Sequence, residues 1–132
     1  MAEVVRAGDD VTVVATQAMR HAAVAAADEL AKEGISIEVI DPRTLVPFDL
    51  ETVASSLAHT NRLVVVQETC HAGSWGATLV SAVTQAHFGA LHAPPVVVSA
   101  EDTPIPYSRN LEDAWLPSAG RIAEALRTTA AF

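Results

Sequence analysis

The sequence predicts a three-layer α/β/α domain built on a mostly parallel sheet. Short β-branched runs alternate with longer alanine-rich stretches, the pattern left by parallel strands joined through crossover helices. Half of the residues are hydrophobic but only 5% are aromatic, which suits close packing of helices on a sheet. At 132 residues the chain has the usual size of one domain around one core.

The elements follow in order. Residues 1–7 read as a lead and 8–132 as the domain. After the turn-like Gly8-Asp9-Asp10, Val11 to Ala15 is a compact apolar run and so a buried strand. From Ala18 to Lys32, Met19, Ala22, Ala23, Ala26 and Leu30 recur at helical spacing, and Gly34 stands where a left-handed residue would close the helix. Ile35 to Ile40 is the second strand, ending on the polar Asp41-Pro42-Arg43. Asp49 can cap a helix reaching Ala58, and Arg62 to Val66 is the third strand. A loop from Glu68 to Gly76 leads into a helix from about Ala77 to His87, then through Pro94-Pro95 into a fourth strand at Val96 to Ser99. Asp102 to Pro117 carries Pro104, Pro106 and Pro117 and reads as a surface excursion without regular structure. Ser118 can cap a last helix to about Thr129, with Ile122, Ala125 and Leu126 on one face.

Charge and composition narrow the function. Eight basic against sixteen acidic residues leave a net charge of −8, which repels phosphate backbones and favours a basic protein partner over nucleic acid. Cys70 is the single cysteine, which excludes an internal disulfide and a multi-cysteine metal site. The five histidines show no ligand spacing, so no metal is expected. No window approaches the ~18 apolar residues of a bilayer span, and the first residues lack a basic, apolar leader. The expectation is a cytoplasmic protein that binds neither membrane nor nucleic acid.

Chemistry could sit on the loop after the third strand, since open α/β sheets place ligands at the carboxyl ends of their strands. A candidate groove there holds Arg43, Glu68, Gly73, Ser74 and Gly76, and could take a small molecule or an anion. Cys70 and His71 offer a nucleophile beside an imidazole, but neighbours in sequence point their side chains apart in most conformations. A structural loop, with glycines that permit a tight strand-to-helix turn, is the preferred reading. For Asp41 and Arg43 an internal salt bridge is preferred to a ligand site. Trp75 and Trp115 could each be an interface anchor or part of the core.

Three segments then carry a resemblance. They are Gly8-Asp9-Asp10-Val11-Thr12-Val13-Val14-Ala15, the long run Glu33-Gly34-Ile35-Ser36-Ile37-Glu38-Val39-Ile40-Asp41-Pro42-Arg43-Thr44-Leu45-Val46-Pro47-Phe48-Asp49, and Val65-Val66-Gln67-Glu68. With these, the sequence resembles the transketolase C-terminal domain family. Asp102-Thr103-Pro104-Ile105-Pro106-Tyr107, with Leu111-Glu112 and Leu116-Pro117, is most similar to the beta subunit of the 2-oxo acid dehydrogenase decarboxylase component. The chain departs from the family pattern at Gly73-Ser74-Trp75-Gly76-Ala77-Thr78, where Gly-Gly-Phe-Gly and Ala-Glu are common. Gln17 stands where glycine is usual, and His92 where an acidic residue is common.

The resemblance implies a module of an oxidoreductase rather than a complete enzyme. Thiamine diphosphate and magnesium would be held by other domains of the parent enzyme, so the isolated domain should bind no cofactor and be inactive. The partners it implies are the rest of the beta subunit, an alpha subunit, another beta subunit, and the basic peripheral subunit-binding domain of the acyltransferase core. His92, Glu112, Trp115 and Phe132 are the partner-facing candidates, the last with a terminal carboxylate beside its ring. Pyruvate, a branched-chain 2-oxo acid and acetoin remain open as substrates of the whole. The alternatives are a stand-alone binder using the groove, and an enzyme dependent on Cys70.

Overall fold

The computed structural model describes residues 1–132. Its elements are β1 (Glu3–Arg6), β2 (Val11–Ala15), α1 (Gln17–Ala31), β3 (Ile37–Asp41), α2 (Leu50–Thr60), β4 (Leu63–Val66), α3 (Trp75–His87), a 3-10 turn at Phe88–Ala90, β5 (Val96–Val98), α4 (Arg109–Trp115) and α5 (Ala119–Ala130). They form one five-stranded sheet in the order β1-β3-β2-β4-β5. The four strands from β2 onward are parallel to their neighbours, while β1 runs antiparallel to β3.

Alternation along the strands divides the core into two layers. Val11, Val13, Val39, Val64 and Val66 pack with Met19, Ala23 and Leu30 of α1 and with Ile122 and Leu126 of α5. On the opposite face, Val14, Ile40, Leu63 and Val65 pack with Val53 and Leu57 of α2 and Leu79 and Val83 of α3. Strands covered on both faces read as continuous apolar runs, which is why β2 and β4 stood out in the sequence. The one polar side chain inside β2, Thr12, is satisfied by the hydroxyls of Ser56 at 2.5 Å and Thr60 at 2.6 Å on α2.

Helix ends follow side-chain chemistry. Asp49 accepts the Thr52 N–H at 3.1 Å and Ser118 accepts the Arg121 N–H at 3.1 Å, as the sequence predicted. Gly34 closes α1 at φ 81°. Ser74 accepts the Ala77 N–H at 3.2 Å, so α3 begins at Trp75 rather than Ala77.

Two expectations are corrected. The lead of residues 1–7 holds the edge strand β1, whose mix of Glu3 and Arg6 with two valines gave no apolar run to recognise. The 102–117 excursion contains α4, because no proline falls between Pro106 and Pro117 and a short helix fits there.

Candidate functional site

β2 and β4 are neighbours in the sheet, yet they feed helices that cover opposite faces. That divergence opens a crevice at their carboxyl ends, the usual ligand position in open α/β sheets. A cleft of about 720 Å³ lies there, and Gln17, Arg20, Asp41, Arg43, Glu68 and Trp75 are among its lining residues.

The charges of this cleft are already paired. Arg20 donates to Asp41 Oδ2 at 3.1 Å, and Asp41 Oδ1 accepts the Arg43 N–H at 2.9 Å. The Arg43 guanidinium pairs instead with Glu3 on β1. The internal salt bridge expected between Asp41 and Arg43 is therefore replaced by two bridges to other elements. Glu68 accepts the Ala18 N–H at 3.2 Å, so the amino end of α1 already faces a carboxylate.

Of the glycine-rich stretch 73–76 only Trp75 reaches this cleft; Gly73, Ser74 and Gly76 do not. Gly73 and Ser74 line a second one of about 560 Å³, between the 45–50 loop and α3, with Leu45, Val46, Phe48 and Trp75. Gly76 lines neither: a Cβ there would meet Gln67 Oε1 at 2.5 Å, and the Gly76 N–H donates to that oxygen at 2.9 Å. The amide of Gln67, fully buried, also donates to the Cys70 carbonyl at 3.1 Å and to Ser99 Oγ at 3.0 Å. The loop's purpose at Gly76 is thus to bring a backbone onto a buried side chain. At Cys70 and His71 the loop is likewise held through the main chain, the His71 N–H donating to Asp102 Oδ1 at 3.1 Å.

The expected partner residues separate as well. Phe132 is exposed and lines a groove with Val96–Val98 and α5 residues. Glu112 and Trp115 line another groove with Ile105 and Cys70. His92 is exposed before β5, where its N–H donates to the Asn61 carbonyl at 2.8 Å. Trp115, for which both an interface and a core role were open, is 7% exposed, and its indole N–H donates to the Glu101 carbonyl at 3.0 Å, so it props the excursion from inside.

Arg20, Gln17 and the apolar 45–48 loop were not singled out as site residues by sequence reasoning. Gln17 had a signal, since it replaces a glycine and adopts φ 48°. No three or more His, Cys, Asp or Glu residues stand together to hold a metal ion. A diphosphate does not fit the first cleft, because the cations that could hold it, Arg20 and Arg43, are paired with Asp41 and Glu3 and the Ala18 amide donates to Glu68. No helix is long and apolar enough to cross a membrane.

The sequence matches the family described as Transketolase, C-terminal domain over residues 1–122. It is 45% identical over 97% of its length to the acetoin:2,6-dichlorophenolindophenol oxidoreductase subunit beta of Cupriavidus necator, and covers 38% of that protein. It is 38% identical over 99% of its length to the pyruvate dehydrogenase E1 component subunit beta of Bacillus subtilis, of which it covers 40%. Among solved structures, a split gene transketolase, described as an inactive beta4 tetramer, superposes with a TM-score of 0.83 at 26% identity, over 99% of this chain and 41% of that one. The chain thus spans about two fifths of the relatives it matches. A match over nearly the whole sequence, to relatives that share this sheet and its helices, places the chain in the transketolase C-terminal domain family.

Proposed function

We propose that this domain is the assembly and interaction module of a thiamine-diphosphate-dependent oxidoreductase, the C-terminal part of its beta subunit. The observation that carries the reading is the fit in length: nearly all of this chain matches two oxidoreductase beta subunits, yet it accounts for only 38% and 40% of them. The self-paired charges of the switch-point cleft support it, because a ligand entering there would have to break the Arg20–Asp41 and Glu68–Ala18 contacts. The same pairing counts against a stand-alone anion binder.

In this reading the cofactor and magnesium are held by the remainder of the beta subunit and by an alpha subunit, and the whole enzyme works in the cytoplasm. A second beta subunit and the basic subunit-binding domain of an acyltransferase core are the further partners, with His92, Glu112 and Phe132 as exposed contacts. The acidic surface would steer a basic partner. Pyruvate and acetoin are the substrates that the relatives' names suggest, with a branched-chain 2-oxo acid as the remaining possibility.

Titration calorimetry of the chain with thiamine diphosphate and magnesium tests the assignment. No saturable heat is expected. Micromolar binding to the chain alone would place the cofactor site here and overturn the reading.

A further inference from the structure

A third cleft, of about 530 Å³, lies between α2 and the strands β1 and β3, and shares no lining residue with the two described above. Helical spacing builds one wall. Glu51, Ser55 and His59 recur at every fourth residue of α2, with Thr52 and Ser56 one position on, so the helix turns a polar face toward Glu38 of β3. Glu38 meets that face because its neighbours Ile37 and Val39 point into the opposite layer of the core. Its side chain is only 8% exposed. A carboxylate buried to that extent is costly unless donors and cations compensate it. Here compensation falls short. Both contacts of Glu38 fall on Oε2 and both are long, the Gly8 N–H at 3.4 Å and His59 Nε2 at 3.6 Å, while Oε1 accepts no hydrogen bond. The one side-chain polar atom both enclosed and unpartnered is Arg62 Nε, so Glu38 Oε1 opens onto the cleft. No lysine or arginine lines it.

We propose that this cleft binds a primary ammonium carried on an alkyl chain. The unpartnered Glu38 Oε1 calls for a donor, and a cationic donor also neutralises the buried charge. The acceptors left over set the shape of the ligand. Asp49 is occupied by its cap, taking the Ala2 N–H and the N–H and hydroxyl of Thr52, and it is Asp49 on which the Met1 ammonium acts. The Ser56 hydroxyl is taken by Thr12. What remains is Glu38 Oε1 with the exposed Glu51 carboxylate and Ser55 hydroxyl, single oxygens on separate side chains. An ammonium, with three N–H donors free to rotate, suits such a set, whereas the planar fork of a guanidinium wants two oxygens of one carboxylate. A metal ion is disfavoured because no three His, Cys, Asp or Glu residues converge to hold one. Val4, 45% exposed at the rim, offers an apolar surface to the alkyl stem. A lysine side chain and a free alkylamine carry the same chemistry.

Amide spectra of the isotope-labelled chain test this, with n-butylammonium as the probe and tetramethylammonium, which has the charge but no N–H donor, as its control. Saturable shifts at Gly8, Glu38 and His59 are expected with n-butylammonium, at roughly tenfold lower concentration than with tetramethylammonium. Glu38→Gln should remove them, while Asp113→Asn, which deletes the same charge from an exposed position on α4, should leave them. Ser55→Lys gives a second route should Glu38→Gln fail to fold: an ammonium carried by α2 itself is expected to displace the probe and raise the urea midpoint. Nα-acetyl-lysine methylamide separates the sources. Binding as tight as that of n-butylammonium supports a lysine of a partner polypeptide, and its exclusion supports a free alkylamine. Equal responses to the two cations would reduce the effect to general attraction by a chain of charge −8 and overturn the site. So would shifts that survive in folded Glu38→Gln or in Ser55→Lys, or the lack of any saturable shift, which would leave water as the partner of Glu38 Oε1.

Discussion

Gln17 opens α1 at φ 48°, in the left-handed region where a side chain costs roughly 1–2 kcal/mol and glycine costs little. Its side chain is exposed at the mouth of the crevice, so no packing is lost with it. Gln17→Gly should therefore raise stability by about 0.5–1 kcal/mol, less than the full strain because glycine also loosens the unfolded chain. Urea unfolding measures it, and an unchanged midpoint would show the turn to be relaxed. Gly76 is the opposite case. Its constraint is contact: a Cβ would meet Gln67 Oε1 and the Val65 and Val97 methyls, all from residues within or beside the sheet. Gly76→Ala should cost about 1–3 kcal/mol through overpacking, with a larger loss if Gln67 gives up the hydrogen bonds that anchor Cys70 and Ser99.

At the scale of elements, what the sequence disclosed depended on whether a signal was local. β2 was legible to the residue because five consecutive buried positions leave an apolar run, and α5 because Ser118 caps it ahead of a periodic face. β1 was not, since an edge strand with one partner needs no apolar run. The Arg20–Asp41 and Arg43–Glu3 pairs were not legible either, because their partners are brought together only by the strand order. The caps themselves predict behaviour. The Asp49 carboxyl is held below its ordinary value of 3.8, first by the Ala2 N–H and then by the N–H and hydroxyl of Thr52. A carboxylate depressed by folding contributes stability that is full above its unfolded pKa and lost as pH falls through the folded one. Asp49→Asn keeps an acceptor that does not titrate, so its stability should fall less steeply below about pH 4. An acid limb identical to that of the parent, read by circular dichroism, would remove Asp49 as a source. For Ser118→Ala, losing the N-cap of α5 should cost about 1 kcal/mol.

The molecule as a whole shares one sheet between two apolar layers, and that sharing determines how it should unfold. Val13 faces α1 and α5 while Val14, the next residue, faces α2 and α3, so neither layer can be lost without uncovering the same strand. The α2 side is further tied to the sheet by Thr12 of β2, which reaches Ser56 and Thr60. On the other side, Arg127 of α5 donates to Glu33 at 2.7 Å and 2.9 Å beyond the end of α1, closing that layer around the sheet. A structure coupled in this way should unfold in one step despite its two clusters. Leu57 and Leu126 are fully buried, one in each layer. Leu57→Ala and Leu126→Ala should each cost about 2–5 kcal/mol, the spread reflecting how far each site can collapse. The sharper expectation concerns the slope. If the sheet couples the layers, both variants shift the urea midpoint and leave the m-value unchanged, and tryptophan fluorescence and far-ultraviolet circular dichroism trace the same transition. A lower m-value in one variant, or two probes that part company, would mean that a layer can detach while the strands stay paired, and the fold would then be two stacked units rather than one.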